Sequence, residues 1–123
     1  MRRLMVAQWN MLAGELALPR FFPHVVPDQL LDWDTNRRDW ITRYMTNRFA
    51  EVDLVCMQEV DHVRDWLEPL SASLSMTLLH HARPTTNMGR AAIVRNDGCA
   101  VMYRSSRFSL VASHCHHYVH VCD

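Results

Sequence analysis

Apolar and polar residues alternate along this chain in a pattern that predicts strands and helices in succession. Three short apolar runs that end in polar residues predict strands at 4–9, 53–58 and 76–80. Apolar side chains at helical spacing predict helices at about 36–50 and 62–74, each following one of the first two strands. This order, with early strands apolar enough to be buried, is typical of an α/β or α+β fold.

Two further segments, a proline-containing connection and a pair of late β runs, complete the expected organisation. Residues 13–35 contain three prolines and scattered aromatic residues, which predict a long irregular connection of the kind that often carries function. Residues 99–103 and 108–111 are short β runs on either side of a polar link, so they predict a hairpin. The 123 residues suit one domain at most, spanning 1–123.

Composition narrows the class of protein. The hydrophobic fraction of 49% and the charged fraction of 21% are those of an ordinary globular protein, and 13 basic residues balance 13 acidic ones. The chain therefore has no overall charge that would attract it to nucleic acid or to a membrane. No apolar run approaches the ~20 residues that span a bilayer. Cys56 and Cys99 lie in apolar strands, which predicts buried, reduced thiols in an intracellular protein of the cytoplasm or nucleus.

The candidate chemistry lies where the first two expected strands end. Asn10 and Glu59 carry oxygen ligands at the carboxyl ends of buried strands, and open α/β sheets present their chemistry at that end. An amide and a carboxylate form a hard-oxygen half-site that suits Mg²⁺, with water and phosphate oxygens as the other ligands. The pattern therefore predicts phosphoester chemistry. Each residue also has a structural alternative, because Asn10 could cap a turn and Glu59 could pair with an arginine.

A second group of possible metal ligands lies near the carboxyl end, and it consists of His114, Cys115, His116, His117, His120 and Cys122. Zinc needs four ligands that converge tetrahedrally. Residues on the same face of one strand lie about 6.6–7 Å apart, so a single strand cannot supply neighbouring ligands. We therefore expect no zinc site here without a second structural element.

Four segments of the chain carry motifs that occur together in one known group of proteins. They are Val6–Ala13, the Leu-x-Trp-x-x-x-Arg pattern of 31–37, the Gln-Glu-Val-Asp strand end of 58–61, and the Asp-Gly-Cys-Ala-Val-Met-Tyr-Arg run of 97–104 followed by Arg107-Phe108. In this order they resemble the endonuclease/exonuclease/phosphatase superfamily, in its branch of CCR4-type deadenylases, nocturnin and Angel proteins. The resemblance spans nearly all of residues 4–111.

The resemblance implies a fold, a cofactor and an activity. It implies the first half of a four-layer αββα sandwich of the DNase I-like type, with Mg²⁺ bound directly by Glu59 and with Asn10 orienting Glu59 or binding through water or phosphate. The implied activity is that of a Mg²⁺-dependent phosphodiesterase, a 3′-to-5′ exoribonuclease that removes adenosine from poly(A) RNA. DNA or a nucleotide phosphate is the alternative substrate within the superfamily. Arg90, Arg95 and Asp97 would contact substrate, with a solvated loop and an Asp-Gly turn as the structural alternatives.

The resemblance also implies two later motifs, Asp-x-Asn and Ser-Asp-His, after the segment that ends at 111, and residues 112–123 contain neither. We therefore expect an incomplete amino-terminal portion of the domain, without catalytic residues of its own and inactive alone. The alternatives are a non-catalytic remnant or interaction module, or a nucleotide phosphatase of the same superfamily. Trp33 and Phe21 in the long connection could stack a base, although anchoring that loop is the commoner role of such residues.

Overall fold

The described parts of the chain form one mixed sheet with helices packed on it. The computed structural model describes residues 3–83 and 96–116. In chain order its elements are β1 (Val6–Asn10), a 3₁₀ turn (Asp28–Leu31), a first π-helical turn (Trp33–Arg37), α1 (Arg38–Arg48), β2 (Leu54–Val60), a second π-helical turn (Val63–Leu67), α2 (Glu68–Ser73), β3 (Met76–Ala82) and β4 (Gly98–Arg104). The expected succession of strands and helices is confirmed, and the fold is α/β.

The sheet orders its strands β1–β2–β4–β3. β1 and β2 run parallel, with Val6 opposite Leu54 and Asn10 opposite Gln58. β4 is antiparallel to β2 on one side and to β3 on the other. The parallel pair brings the carboxyl ends of β1 and β2 to the same end of the sheet, as the sequence predicted. In the sheet that the described residues form, β1 is an outermost strand.

The core lies between one face of the sheet and the helical segments. Val55, Met57 and Met102 on that face are at most 1% exposed, and Met45 of α1 and Leu67 of the second π-helical turn belong to the same buried cluster. The strands supply β-branched and flexible apolar side chains here, which fill the space under the helices. This packing fixes the helices on the sheet and therefore positions the loops at the strand ends.

The two cysteines that were expected to be buried lie on the opposite face of the sheet. Because side chains alternate along a strand, the inward positions of Ala100 and Met102 turn Cys99 outward, and the inward position of Val55 does the same for Cys56. Cys56 is half-buried and Cys99 is exposed, and both thiols are free. The expectation that Cys99 is buried is therefore wrong.

The helix expected at 36–50 is found as α1, and a capped π-helical turn precedes it. Asp32 caps this turn, because its Oδ1 accepts hydrogen bonds from the Thr35 hydroxyl at 2.7 Å and from the Thr35 N–H at 2.8 Å. These bonds stabilise the carboxylate and hold the pKa of Asp32 below its ordinary value. With 11 residues α1 is short, and in residues 3–83 and 96–116 no helix is long and apolar enough to cross a membrane.

Two sequence predictions need correction after β2. The helix expected at 62–74 is divided into the second π-helical turn and α2, and Pro69 lies in the first turn of α2, where its missing N–H breaks no hydrogen bond. The strand expected at 108–111 is not found among the described residues. Both sides of β4 already pair with β2 and β3, so no β4 edge remains to form the expected hairpin. Instead the chain turns at Arg104, whose carbonyl accepts hydrogen bonds from two later N–H groups.

Two charged residues fasten the end of the sheet that lies away from Asn10. The guanidinium of Arg104 donates hydrogen bonds of 2.7 to 3.3 Å to the carbonyls of Phe49, Ala50, Val52 and Leu74. Asp53 is 1% exposed, accepts a hydrogen bond from the Met5 N–H at 2.9 Å and contacts Arg107. The arginines of the fourth motif segment therefore have structural roles.

Candidate metal centre

Asn10 and Glu59 lie side by side at the end of the parallel strand pair. Because Asn10 is opposite Gln58, the next residue of β2, Glu59, comes within reach of its side chain. Asn10 Nδ2 donates a hydrogen bond to Glu59 Oε1 at 2.9 Å, and Asn10 Oδ1 accepts one from the Leu12 N–H at 2.9 Å. Asn10 is exposed and Glu59 is half-buried. The structure thus brings together the two oxygen ligands that the sequence singled out.

Glu59 lies in a strained part of the backbone. The pairing of β2 with β4 shifts register between Met57 and Val60, which leaves Glu59 in an irregular part of the strand. Glu59 has a φ of 54°, and Leu12, two residues after Asn10, has a φ of 59°. Left-handed conformations of non-glycine residues cost about 1–3 kcal/mol each and cluster at functional sites. Here the strain accompanies the hydrogen bond between Glu59 and Asn10.

Arg37, the last residue of the first π-helical turn, holds the loop that follows Asn10. It is 9% exposed, and its Nη2 donates a hydrogen bond to the Met11 carbonyl at 2.9 Å and contacts the Leu12 carbonyl. Burial lowers the pKa of Arg37, and the nearby Asp61 carboxylate opposes this effect. The sequence motif contained Arg37, but its role was not predicted, because no pattern shows which carbonyls a buried arginine reaches.

Asp61 makes the corresponding contact from the β2 side. Its Oδ2 accepts a hydrogen bond from the Gly14 N–H at 2.6 Å, which ties the loop after β1 to the loop after β2. A Cβ added to Gly14 would lie 3.2 Å from the same oxygen, so the close approach favours glycine. Arg37 therefore clamps the loop after Asn10, and Asp61 joins that loop to the loop after β2.

Trp33 anchors the long connection to the segment after β2. Its ring stacks on His62 with 4.3 Å between centroids and 6° between planes, and it meets Trp66 edge-on at 5.0 Å. Trp33 is 8% exposed, so its ring faces are taken up by these contacts. Of the two interpretations of this residue, anchoring agrees with the structure and base stacking does not.

Of the three residues predicted to contact substrate, the structure describes only Asp97. Asp97 is 2% exposed and accepts hydrogen bonds from Arg83, at 3.2 Å from Nε and 2.9 Å from Nη2. This pairing raises the pKa of the Arg83 guanidinium, and the Arg83 N–H donates to the Asp97 carbonyl at 2.9 Å. Arg90 and Arg95 lie outside the described residues. The substrate contacts of Asp97, Arg90 and Arg95 therefore stay a prediction.

The donor set of the Asn10–Glu59 pair fits a hard cation. Within the described ranges, Asn10 is the only hydrogen-bonding partner of the Glu59 carboxylate, which leaves Glu59 Oε2 available to a ligand. No group of three or more His, Cys, Asp or Glu side chains that could hold a metal occurs in that same part of the chain. The metal half-site of Asn10 and Glu59 stays a prediction. Of the histidine- and cysteine-containing tail, only His114, Cys115 and His116 are described, and residues 117–122 lie outside the described residues.

Comparison with curated proteins gives three kinds of relative. The chain is 32% identical over 116 residues to the CCR4-Not complex 3′-5′-exoribonuclease subunit Ccr4 of Neurospora crassa, covering 90% of the chain and 14% of that protein. It is 28% identical to the protein angel of Drosophila melanogaster, covering 86% of the chain, and 29% identical to nocturnin of Xenopus laevis, covering 91%. It spans 28% of each of these two proteins. No protein-family model matches the chain.

Solved structures give the same relatives. ANGEL2, described as a 2′,3′-cyclic phosphatase, superposes with a TM-score of 0.64 at 27% identity, covering 87% of the chain and 28% of that structure. The catalytic domain of human nocturnin with a bound sulfate superposes with a TM-score of 0.62 at 28% identity, covering 89% and 35%. The chain is thus a relative of the Ccr4, Angel and nocturnin proteins of the endonuclease/exonuclease/phosphatase superfamily, and it shares the DNase I-like fold of their catalytic domains.

Proposed function

We propose that this chain supplies two ligands of a Mg²⁺ site in a phosphodiesterase that acts on RNA, a 3′-to-5′ exoribonuclease that removes adenosine from poly(A) tails. The observation that carries this proposal is the hydrogen-bonded Asn10–Glu59 pair at the joint end of β1 and β2. The Ccr4 relative supports the choice of an exoribonuclease. Because the chain spans only 14% of that relative, the proposal concerns the whole protein, of which residues 1–123 are the amino-terminal portion of the catalytic domain.

Each residue of the pair has its own role in this proposal. Glu59 would hold the cation, and the Asn10 amide, which donates a hydrogen bond to Glu59 Oε1, would fix the carboxylate in one orientation. The bound Mg²⁺ would neutralise charge on the phosphoryl oxygens. Arg37 holds the loop after Asn10, and Asp61 joins that loop to the loop after β2, which would keep Asn10 and Glu59 close when the anionic substrate arrives. We expect residues 1–123 alone to bind metal and to hydrolyse nothing.

A related phosphatase is the second candidate function, because the ANGEL2 structure is that of a 2′,3′-cyclic phosphatase. Both reactions need a cation that binds phosphate oxygens, so the Asn10–Glu59 pair serves either of them. They differ in the bond that is broken, which is an internucleotide phosphodiester in one case and a terminal cyclic phosphate in the other. We place either enzyme inside the cell, in the cytoplasm or nucleus, because Cys56 and Cys99 are free thiols.

Metal binding is the direct test of the proposal. We expect Mn²⁺, followed by electron paramagnetic resonance as a substitute for Mg²⁺, to bind the chain, and Glu59→Gln to weaken this binding at least about tenfold. Glu51→Gln is the matched control, because Glu51 is an exposed glutamate in the turn before β2 and should leave the affinity unchanged. Equal Mn²⁺ affinity of wild type and Glu59→Gln would refute the metal site and favour an interaction module.

Substrate choice needs the longest product of the gene that contains residues 1–123. It is incubated with Mg²⁺ and labelled oligo(A) that ends either in a 3′-hydroxyl or in a 2′,3′-cyclic phosphate. Stepwise shortening of the first RNA supports the exoribonuclease, and loss of the cyclic phosphate without shortening supports the phosphatase. Shortening by the 123-residue chain alone would contradict the expectation that this portion is inactive.

A further inference from the structure

An apolar pocket opens directly beside the two candidate metal ligands. Its volume is about 440 Å³, and it is lined by Asn10, Leu12, Leu16, Phe21, Phe22 and Glu59. The amide and the carboxylate close one part of the pocket, and two phenyl rings and two leucines form the rest. Phe21 is 53% exposed, and the guanidinium carbon of Arg20 lies 4.8 Å from its ring centroid. The pocket wall therefore contains a half-exposed aromatic ring, and the positive charge of Arg20 lies over that ring.

Consecutive turns of the backbone hold the aromatic wall in place. The N–H groups of Phe21 and Phe22 donate hydrogen bonds to the Leu18 carbonyl at 2.9 and 3.2 Å. The Val25 N–H then donates to the Phe22 carbonyl at 3.0 Å. A wall built from closed turns needs little ordering when a ligand arrives, which favours binding. The pocket is thus formed in advance, although Phe21 and Phe22 belong to neither a strand nor a helix.

We propose that this pocket is the subsite for an unpaired nucleobase whose phosphate occupies the Asn10–Glu59 end. The inference rests on the proposed function, because it takes the phosphate position from the candidate metal site. Phe21 stacks on the base, and the leucines contact its edge. Arg20 attracts the anionic nucleotide. Phe21 therefore has the base-stacking role that the buried Trp33 cannot have.

The pocket combines oxygen atoms of Asn10 and Glu59 with an aromatic wall, and this combination favours a nucleotide as its ligand. A nucleotide joins a phosphate to a flat aromatic ring through one sugar, so a single ligand can satisfy both parts of the pocket. Stacking on an aromatic side chain contributes about 1–3 kcal/mol per base and tolerates every base, because each has a π-face. Among the described residues, the only polar side chains that line the pocket are Asn10 and Glu59, and they are hydrogen-bonded to each other. The subsite therefore holds a base without reading its edge.

The test compares two ligands that differ only in the base. Isothermal titration calorimetry with the 123-residue chain and Mg²⁺ measures the affinity for AMP and for ribose 5-phosphate. We expect AMP to bind roughly tenfold more tightly, from the stacking of one base. Phe21→Ala should abolish this preference without changing the affinity for ribose 5-phosphate, and Phe21→Trp should keep it. Phe108→Ala is the matched control, because Phe108 also lies under an arginine but outside the pocket.

The outcomes separate the subsite from the metal site. Equal affinity for AMP and ribose 5-phosphate, or an AMP preference that survives in Phe21→Ala, overturns the subsite even if Glu59→Gln abolishes Mn²⁺ binding. The subsite is also overturned if AMP fails to bind at concentrations at which Mn²⁺ binding is normal. A Phe21-dependent preference for AMP, together with equal Mn²⁺ affinity of wild type and Glu59→Gln, supports the subsite and refutes the metal site. Circular dichroism melts of the variants confirm that each is folded.

Discussion

Replacing Arg37 with methionine tests whether the loop after β1 is held by this one guanidinium. The substitution keeps an apolar stem of similar length and removes the donor to the carbonyls of Met11 and Leu12. The carbonyl of buried Met11 then has no partner, at a cost of about 2 kcal/mol, and that of half-buried Leu12 loses about 1 kcal/mol because water can reach it. We therefore expect a loss of about 3 kcal/mol in the free energy of unfolding.

One effect partly offsets this loss of stability. Arg37 Nη1 is buried without a hydrogen-bond partner among the described residues, so removing the guanidinium also relieves some desolvation. A loss of about 3 kcal/mol corresponds to a melting temperature about 12 °C lower for a chain of this size. Urea unfolding followed by circular dichroism measures it, and Arg38→Met is the matched control. Arg38 is the exposed neighbour, so its replacement should change stability by less than about 0.5 kcal/mol.

The same variant separates a positioning role from a purely structural one. If Arg37 positions the loop that begins at Asn10, Arg37→Met should also weaken Mn²⁺ binding several-fold under conditions in which it is folded. Arg37→Lys should recover part of both losses, because it keeps the charge but cannot fork to two carbonyls. A stability within about 0.5 kcal/mol of wild type would refute the clamp. A lower stability with unchanged Mn²⁺ affinity would refute the positioning role.

Two further predictions concern a glycine and a buried acid. Gly98→Ala should lower stability by at least about 2 kcal/mol in urea unfolding, because the new Cβ would lie 2.2 Å from the His81 carbonyl oxygen. Gly14→Ala is the milder comparison, since its Cβ meets a side-chain oxygen at 3.2 Å, and equal losses for both would contradict the reasoning. The hydrogen bond from the Met5 N–H, with further contacts, lowers the pKa of Asp53, so its stabilisation is present near neutral pH and is lost as pH falls below about 4. The urea midpoint should therefore fall more between pH 6 and pH 3 in wild type than in Asp53→Asn, and equal falls would refute this assignment.

The sequence predicted the strands and the meeting of Asn10 and Glu59 for one physical reason. Apolar runs that end in polar residues mark where parallel strands leave the core, and parallel strands leave it at the same end. It did not predict the left-handed φ of Glu59, because the bulge depends on how β2 pairs with a strand about 40 residues later. The strand predicted at 108–111 is not found among the described residues. The local sequence favours a strand there, but β4 already pairs with β2 on one side and with β3 on the other.

In the long connection, too, the local sequence predicts the backbone path but not the tertiary contacts of the side chains. Its prolines correctly predicted an irregular path, but pattern alone could not distinguish the buried ring of Trp33 from the exposed ring of Phe21. Each ring's setting depends on the partner that the tertiary fold provides, which is His62 for Trp33 and the solvent-facing pocket for Phe21. The ion pair of Asp97 could not be predicted for a similar reason, because its partner Arg83 lies 14 residues earlier, just after β3.

The edge position of β1 could connect the binding of a partner protein with the candidate metal site. β1 is an outermost strand of the described sheet, it has only five residues, and its last residue is Asn10. Any polypeptide that adds a strand along β1 would therefore end its ladder beside the candidate ligand and would restrict the backbone from which Asn10 projects. If the proposed cation binds beside Asn10, a partner that orders β1 would raise the affinity for that cation, and by thermodynamic linkage the cation would raise the affinity for the partner by the same factor. A regulator of this protein could thus act on metal binding without touching the metal.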